Sequence, residues 1–184
     1  MKKIAFVTFT FFFSFCGFAY TNDTIGNSNN EETINNEVSA YFKKFGFEIS
    51  NQNHFPLYEQ IYKLKDIPYK YSGRSHSGLD CSGFTICVFD SVFNEKLSGG
   101  SKDIYLKTIT IPDRKLKEGD LLFFKIRGNS ISHVGIYLGN GKFAHTTTRS
   151  GVMVNDLSDP YYKKYYYKAT RVLFNEADEN DVAE

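Results

Sequence analysis

The most informative stretch of this chain for its fold is residues 132–147. It reads Ser132-His-Val-Gly-Ile-Tyr-Leu-Gly-Asn-Gly-Lys-Phe-Ala-His-Thr-Thr147. Apolar residues alternate with polar or small ones on both sides of Gly139-Asn-Gly141. A period of two predicts β-strands, and a segment rich in Gly and Asn predicts a tight turn. The stretch therefore predicts an antiparallel hairpin.

Two histidines occupy this predicted hairpin, one on each strand. If the connection is a three-residue loop, Leu138 opposes Lys142 and His145 opposes Gly135, which places His145 diagonal to His133 on one face. Diagonal neighbours lie roughly 7–8 Å apart, within reach of planar side chains. A shift of one residue would send the two rings to opposite faces, so the inference depends on the loop length.

Outside the hairpin, the residue pattern predicts helices and further strands. Apolar spacing predicts one short helix near Glu37–Phe45 and a second from Pro56 to before Pro68. Helices followed by consecutive short strands predict an α+β fold with an antiparallel sheet. The further predicted strands are Asp120–Ile126, Val152–Asn155 and Lys168–Phe174.

Residues 1–19 have the composition of a secretory signal peptide. Lys2 and Lys3 precede an apolar run, Ile4–Phe15, which is too short for a membrane span. Gly17-Phe-Ala19 then offers small residues for cleavage before residue 20. We expect export, with the mature protein in the periplasm, anchored to the outer membrane or outside the cell.

Cys16 opens an alternative for this signal. A cysteine that ends the apolar run is typical of bacterial lipoproteins, in which the thiol is lipidated and anchors the mature chain to a membrane. Phe15 departs from that pattern, because the preceding residue is normally small. Ordinary secretion and lipid anchoring both stay open.

Three further segments follow the predicted signal. Residues 20–39 are rich in Asn and Glu and nearly devoid of large apolar residues, so we interpret them as a polar tether. A tail without a function is the alternative. Residues 40–174 form the expected catalytic domain, and residues 175–184 form an acidic tail.

Composition excludes several classes of protein. The 184 residues predict one domain, and the net charge of +1 becomes −1 once Lys2 and Lys3 are removed, so we expect no nucleic-acid partner. Three Cys and four His exclude a disulfide-dense scaffold or a multi-zinc array. Seven of the 18 Phe lie in residues 1–19, so much of the aromatic excess belongs to the signal. Nothing indicates an oligomer, and we expect a monomer.

Cys81 is the candidate nucleophile. Asp80 is a good helix N-cap, which would place Cys81 and Ser82 in a first helical turn whose dipole and free N–H groups favour a thiolate. Residues 84–89 are β-branched and aromatic, however, and by propensity favour a strand equally well. Residue pattern alone leaves helix and strand open, and a lone Cys is often a small buried side chain, as we expect for Cys87.

Cys81, His133 and His145 support two chemical hypotheses. In the first, Cys81 is a nucleophile, His133 is its base and later an acid, and His145 orients His133. In the second, the same residues hold zinc, although no close pair of Cys or His supports this. The bland alternative is that each is an ordinary core or surface residue. His54 and His76 lie in polar segments and look incidental.

Five motifs resemble the NlpC-type cell-wall endopeptidases, which are papain-like cysteine peptidases of bacteria. The resemblance covers residues 56–174, about two thirds of the chain. The motifs are Pro68-Tyr-Lys-Tyr-Ser-Gly73, Gly78-Leu-Asp-Cys-Ser-Gly-Phe84, Leu116-Lys-Glu-Gly-Asp-Leu-Leu-Phe-Phe124, Ser132-His-Val-Gly-Ile-Tyr-Leu-Gly139 and Lys142-Phe-Ala-His145.

The resemblance implies a papain-like fold in which the Cys opens a helix packed on an antiparallel sheet that carries both His. It also implies hydrolysis of amide bonds in peptidoglycan stem peptides, typically between γ-linked D-Glu and a diamino acid, with no cofactor or metal. It places Tyr69 beside the nucleophile, where it would position substrate or support an oxyanion hole with the Cys81 and Ser82 amides. Asp80 is grouped with Tyr69 and Ser82 as a residue of this substrate-binding and oxyanion region. A core aromatic is the alternative for Tyr69.

This chain departs from the family pattern at two places. Ser72 stands where the family has the first Gly of a pair, and Ser98-Gly-Gly-Ser101 replaces a Leu-Pro-Arg-Ser stretch. Two other functions stay open: a catalytically idle peptidoglycan-binding module, and an amidase or acyltransferase on the same scaffold.

Overall fold

A computed structural model of the chain describes residues 28–49 and 54–174. The helices are α1 (Ser28–Lys43), α2 (Phe55–Leu64), α3 (Cys81–Phe93), α4 (Ser101–Leu106) and α5 (Pro160–Tyr165). A 3-10 turn covers Asp113–Lys115. The strands are β1 (Arg74–Ser75), β2 (Gly78–Leu79), β3 (Ile109–Ile111), β4 (Leu121–Phe124), β5 (His133–Gly139), β6 (Lys142–Thr147), β7 (Gly151–Asp156) and β8 (Tyr166–Arg171).

Six strands form one antiparallel sheet in the order β3-β8-β4-β5-β6-β7. Every residue of the central strand β4 is buried, because its side chains alternate between two apolar clusters on the two faces. Helix α3 packs on β5 and β6. The predicted α+β class with an antiparallel sheet is confirmed.

The β5–β6 hairpin forms as predicted, with one difference at its turn. Ile136 pairs with Ala144, the register that sets His145 across from Gly135. At the turn Gly139, not Leu138, opposes Lys142, so the predicted Leu138–Lys142 pair is wrong. The reason is a two-residue turn at Asn140-Gly141, with φ values of 50° and 75°, next to an irregular Gly139.

Helix α3 resolves the ambiguity that propensity left at residues 84–89. Its middle is buried on nearly all sides, against α2 and against β5 and β6. Asp80 caps it, because its carboxylate accepts the Gly83 N–H at 2.7 Å. Tertiary burial favours a helix here in spite of the β-branched and aromatic residues, since intrinsic propensities are small.

Helix α1 is longer than predicted and includes residues 28–39 of the segment interpreted as a tether. Val38 and Phe42 are fully buried, whereas residues 30–37 are exposed. The buried end anchors the helix on α2, and helix propagation then continues into the polar residues. Tyr62 also donates a hydrogen bond to Glu37 at 3.1 Å. Residues 28–39 of the segment interpreted as a polar tether are therefore helical.

An aromatic cluster joins α1 to α2. Its rings meet edge to face or tilted, with centroids 5.1–6.2 Å apart, an arrangement that stabilises beyond simple burial. Much of the aromatic content outside residues 1–19 is thus structural here. The cluster consists of Tyr41, Phe42, Phe45, Phe47, Tyr58 and Tyr62.

Short elements escaped the sequence prediction: β1, β2, β3, α4 and α5 are each two to six residues long. The predicted signal in residues 1–19, Cys16 and the tail at 175–184 lie outside the described residues. Within residues 28–49 and 54–174, no helix is both long and apolar enough to cross a membrane.

Candidate active site

Cys81 is the first residue of α3 and lies in a cleft of about 900 Å³. The cleft is also lined by His133 and His145, so the three predicted triad residues meet in one place. The Asp80 cap sets the start of the helix and thereby the position of the Cys81 side chain, which is half-buried.

Three polar side chains on successive strands form a hydrogen-bonded chain, here called the polar relay (His133, His145 and Asn155). His133 on β5 bonds through Nε2 to Nδ1 of His145 on β6, at 2.7 Å. His145 bonds through Nε2 to Oδ1 of Asn155 on β7, at 2.9 Å. The antiparallel meander β5–β6–β7 thus brings together side chains that are 22 residues apart along the chain.

The polar relay determines which ring nitrogens carry protons. Asn155 Oδ1 can only accept, and it also accepts a bond from the Tyr162 hydroxyl at 3.4 Å. His145 Nε2 is therefore the donor, which leaves His145 Nδ1 as the acceptor for an N–H on His133 Nε2. Nδ1 of His133 keeps its lone pair and is the nitrogen able to take a proton.

Burial, more than the backbone N–H groups around it, controls the charge state of the Cys81 thiol. Desolvation raises the pKa of Cys81 to about 11, although the N–H groups of Val134, Ser82 and Cys81 itself lower it. Burial first, and then the charges of His145 and Arg127, hold the pKa of His133 well below its usual value. Contrary to the expected thiolate, the free site therefore favours a neutral thiol beside a neutral imidazole.

The two histidine rings meet edge to face, with their centroids 4.9 Å apart. Nε2 of His133 and Nδ1 of His145 are 2.7 Å apart and share a hydrogen bond, so these atoms are not free as metal ligands. Among residues 28–49 and 54–174, no group of three or more His, Cys, Asp and Glu is arranged to hold a metal ion. The geometry favours the nucleophile hypothesis over the zinc hypothesis.

Tyr69, Ser82 and Asp80 all line the cleft, in different roles. Burial raises the pKa of Tyr69, and the negative charges of Cys81 and Asp80 raise it further. The Ser82 hydroxyl donates to Asp80 Oδ1 at 2.7 Å. The same oxygen accepts the N–H of Gly83 at 2.7 Å, so Asp80 acts on the helix start.

The remaining Cys and His lie elsewhere in the described residues. Cys87 is 1% exposed within the main apolar cluster, as expected for a core side chain. His54 pairs with Glu118 at 2.7 Å outside the cleft, and His76 is exposed. Neither His54 nor His76 lines the cleft that holds Cys81.

Sequence reasoning missed Asn155 and Tyr162. Asn155 was placed at the end of a predicted strand but given no role. Met153 opposes His145 and Phe143 opposes Asn155, so Asn155 is diagonal to His145 on the same face. Extending the register argument from the first hairpin to β7 would have found it; Tyr162 lies on α5, which no pattern predicted.

The fold and the site define a papain-like α+β domain, and the comparisons with known proteins identify its family. A model of the NlpC/P60 family matches residues 66–171. The chain therefore belongs to the NlpC/P60 family.

Relatives with described roles share about a third of the aligned residues. Over 117 residues the chain is 35% identical to Murein DD-endopeptidase MepS/Murein LD-carboxypeptidase of Escherichia coli K12, covering 64% of this chain and 62% of that protein. It is also 35% identical to the Probable endopeptidase NlpC of the same strain, covering 63% and 76%. The match thus spans about three fifths of MepS.

A solved structure supports the same assignment. An NlpC/P60 family protein from Bacillus cereus ATCC 10987 superposes with a TM-score of 0.60 at 28% identity, covering 67% of this chain and 41% of that chain. The predicted papain-like architecture, with the Cys at a helix start and the His residues on the sheet, is confirmed.

Proposed function

We propose that this protein is a cysteine endopeptidase that hydrolyses amide bonds in peptidoglycan stem peptides, between γ-linked D-Glu and a diamino acid. The observation that carries the proposal is the polar relay, whose free His133 Nδ1 shares one cleft with Cys81. A nucleophile, a base and a group that orients the base are what acyl transfer requires. The name of the first Escherichia coli relative, a murein endopeptidase, supports hydrolysis of peptidoglycan. The name of the second, a probable endopeptidase, supports peptide hydrolysis.

In the first step Cys81 Sγ attacks the scissile carbonyl carbon while His133 Nδ1 takes the thiol proton. The N–H groups of Gly83 and Phe84 are already bonded to Asp80, whereas those of Cys81 and Ser82 point toward Sγ. These two N–H groups, with the Tyr69 hydroxyl, are the donors we assign to the developing oxyanion. His145 and Asn155 hold the imidazolium of His133 in place.

In the second step the tetrahedral intermediate collapses. The C–N bond breaks, His133 gives its proton to the leaving amine, and a thioester to Cys81 remains. Water then attacks the thioester, His133 takes the proton from the water, and the carboxylic acid product leaves as the thiol is restored.

The decisive test is digestion of purified peptidoglycan by the wild type and by Cys81→Ala, followed by mass spectrometry of the released muropeptides. We expect stem-peptide fragments cut after γ-linked D-Glu from the wild type and none from Cys81→Ala. Cys87→Ala is the matched control and should stay active, since Cys87 lies in the core away from the cleft. Release of the same fragments by Cys81→Ala would overturn the proposal.

The same experiment separates the other functions. An idle binding module would be retained by insoluble wall and release no product, and an amidase or acyltransferase would give products of different mass. For the metal hypothesis, EDTA should leave the activity unchanged and an alkylating agent should abolish it; the reverse pattern would favour zinc.

Export is part of the proposal, because peptidoglycan lies outside the cytoplasm; it would occur by ordinary secretion or with a lipid on Cys16. The proposal also has the protein act as a monomer. Fractionation of cells that produce the full chain, with Cys16→Ser beside the wild type, tests both routes. A membrane-bound wild type and a soluble Cys16→Ser variant would identify the lipid anchor.

A further inference from the structure

Tyr162 reaches the polar relay from an element outside the sheet. It lies on α5, the short helix between β7 and β8, and its hydroxyl donates to Asn155 Oδ1 at 3.4 Å. Its ring meets the ring of His145 edge to face, with the centroids 5.1 Å apart and the planes at 87°. One side chain of α5 thus contacts two of the three members of the relay.

The ring of Tyr162 is held by buried aromatic neighbours. It packs edge to face on Phe143 and Phe124, with the centroids 5.0 and 5.9 Å apart. Both of these neighbours are fully buried in the smaller apolar cluster of the sheet. Since such ring pairs have a preferred geometry, these contacts fix the direction in which the Tyr162 hydroxyl points.

The backbone of α5 is tied down at both ends. Asp159 caps its start, where the carboxylate accepts the Tyr161 N–H at 2.8 Å. At its other end, the carbonyl oxygen of Tyr165 accepts the N–H of Lys125, the residue that follows β4, at 2.9 Å. A helix of six residues has little stability of its own, so these bonds and the ring contacts hold Tyr162 in place.

The direction of the polar relay depends on which end of the Asn155 amide faces His145. The amide oxygen only accepts hydrogen bonds, whereas the NH2 group, which takes its place after half a turn of the amide, only donates them. With the NH2 group toward it, His145 would accept at Nε2 and carry its proton on Nδ1. That proton would be donated to His133 Nε2, and His133 would carry its own proton on Nδ1. In this form His133 cannot take the proton of the Cys81 thiol.

The Tyr162 hydroxyl favours the productive orientation of the amide. A phenol oxygen shares its lone pair with the ring, so the group donates a hydrogen bond more readily than it accepts one. Burial, and then the negative charges of Tyr161 and Asp159, raise the pKa of Tyr162 to about 12, so the hydroxyl keeps its proton. A donor at this place stabilises the Asn155 oxygen beside it and would leave an NH2 group there without a good acceptor.

We propose that Tyr162 is a positioning residue that sets the direction of the polar relay, because its hydroxyl holds the Asn155 oxygen toward His145. The inference rests on the proposed function, since the direction of the relay matters to the reaction only if His133 acts as the base. Tyr162 acts through Asn155 and takes part in no bond that the reaction makes or breaks.

Tyr162→Phe tests the proposal, because it removes the hydroxyl and keeps the ring on Phe143 and Phe124. In the free wild type near neutral pH, NMR of isotope-labelled imidazole nitrogens is expected to show one neutral tautomer, with the protons of His133 and His145 on Nε2. In Tyr162→Phe we expect a second form of each ring, with the proton on Nδ1.

Steady-state kinetics on a stem peptide gives the second readout. We expect kcat of Tyr162→Phe to fall about 3- to 10-fold, the usual worth of one hydrogen bond, with KM unchanged because the hydroxyl acts on the base and not on the substrate. Tyr165→Phe is the matched control, since Tyr165 lies on the same helix but outside the cleft. Its kcat and its histidine tautomers should equal those of the wild type.

Unchanged tautomers in Tyr162→Phe would overturn the proposal. If KM rose at the same time, the hydroxyl would instead be a substrate contact, since Tyr162 also lines the cleft. Mixed tautomers with an unchanged kcat would overturn it as well, because the direction of the relay would then not limit the base. A wild type that cleaves no stem peptide would refute the proposed function, and the NMR comparison would still support or overturn the direction assigned to Tyr162.

Discussion

Asn155 holds His145 in the tautomer that His133 requires. Its amide oxygen accepts from His145 at 2.9 Å and from Tyr162 at 3.4 Å, so two donors fix its orientation. Without this acceptor, His145 could place its proton on Nδ1, and the bond to His133 would lose its direction. The neutral side chain of Asn155, two positions along the polar relay from His133, therefore controls which nitrogen of the base can take a proton.

Replacement of Asn155 by Ala is expected to lower kcat on the order of 10- to 100-fold with little change in KM, because the substrate does not touch Asn155 in the proposed mechanism. Steady-state kinetics on a stem peptide measures both. Asn129→Ala, an exposed change in the β4–β5 loop, is the control. Unchanged kcat in Asn155→Ala would show that His145 needs no partner.

The N-cap residue Asp80 fixes the start of α3, and its charge also affects the Cys81 thiol. Asp80 supplies the acceptor for Gly83 N–H, and its negative charge raises the pKa of Cys81, second to burial. Asn caps a helix as well as Asp does but carries no charge. The two roles of Asp80 can therefore be separated by substitution.

Asp80→Asn is expected to keep the stability of the wild type and to lower the pKa of Cys81, which shifts the alkylation profile by iodoacetamide toward lower pH. Asp80→Ala is expected to lose about 1 kcal/mol of unfolding free energy with the cap. Alkylation rates across pH and chemical denaturation measure the two effects. An unshifted profile in Asp80→Asn would argue against an electrostatic effect of Asp80 on the thiol.

Strands β5 and β6 approach closely because residue 135 is Gly. A Cβ at this position would lie 2.7 Å from Phe143 Cδ2 and 3.3 Å from His145 Cβ. Gly135→Ala is expected to destabilise the protein by about 1–3 kcal/mol and to reduce activity, since the strand carrying His145 must move. Thermal unfolding and peptide hydrolysis measure this.

Gly100→Ala serves as the comparison for that variant. A Cβ there meets its nearest neighbour at an ordinary 3.7 Å. If both variants unfold at the wild-type temperature, the sheet tolerates the added methyl group, and the close approach at Gly135 is not a constraint.

Two histidines of the cleft, His133 and His145, have pKa values below the usual one, and this couples the stability of the whole molecule to pH. Burial lowers the pKa of His145 from 6.5 to about 4, although its bond to Asn155 opposes this, and burial lowers the pKa of His133 in the same direction. Below pH 6.5 the unfolded chain takes up protons that the folded protein does not. The contribution of His145 to stability is therefore complete above 6.5 and is lost as the pH falls toward about 4.

Between pH 7 and pH 4.5 the unfolding free energy is expected to fall, with a contribution from His145 on the order of 2–3 kcal/mol. Denaturant unfolding at several pH values measures the fall. His145→Gln should show a shallower fall than the wild type, because the group whose pKa burial lowers is then absent. Parallel curves for His145→Gln and the wild type would contradict the coupling.

Local pattern predicted a good part of this architecture from the sequence. Alternation and the Asn-Gly turn predicted β5 and β6, and the register that opposes His145 and Gly135 followed from them. The presence of Cys81, His133 and His145 in one cleft was implied by the family resemblance, since residue pattern alone left other readings of them open. Elements of two to six residues were not predicted, because a segment that short cannot show a periodic pattern.

The antiparallel hairpin, the capping residue Asp80 and the residue types available for chemistry can be read from the sequence, because they depend on neighbours within a few positions. Residue pattern left helix and strand open at residues 84–89, where the family resemblance implied a helix and the fold has one. The fold added the place of Asn155 in the polar relay and the raised pKa of the Cys81 thiol. Both follow from burial, since packing against distant strands outweighs small intrinsic propensities and removal of water outweighs the N–H groups near Sγ. Neither contribution can be evaluated until the chain is folded.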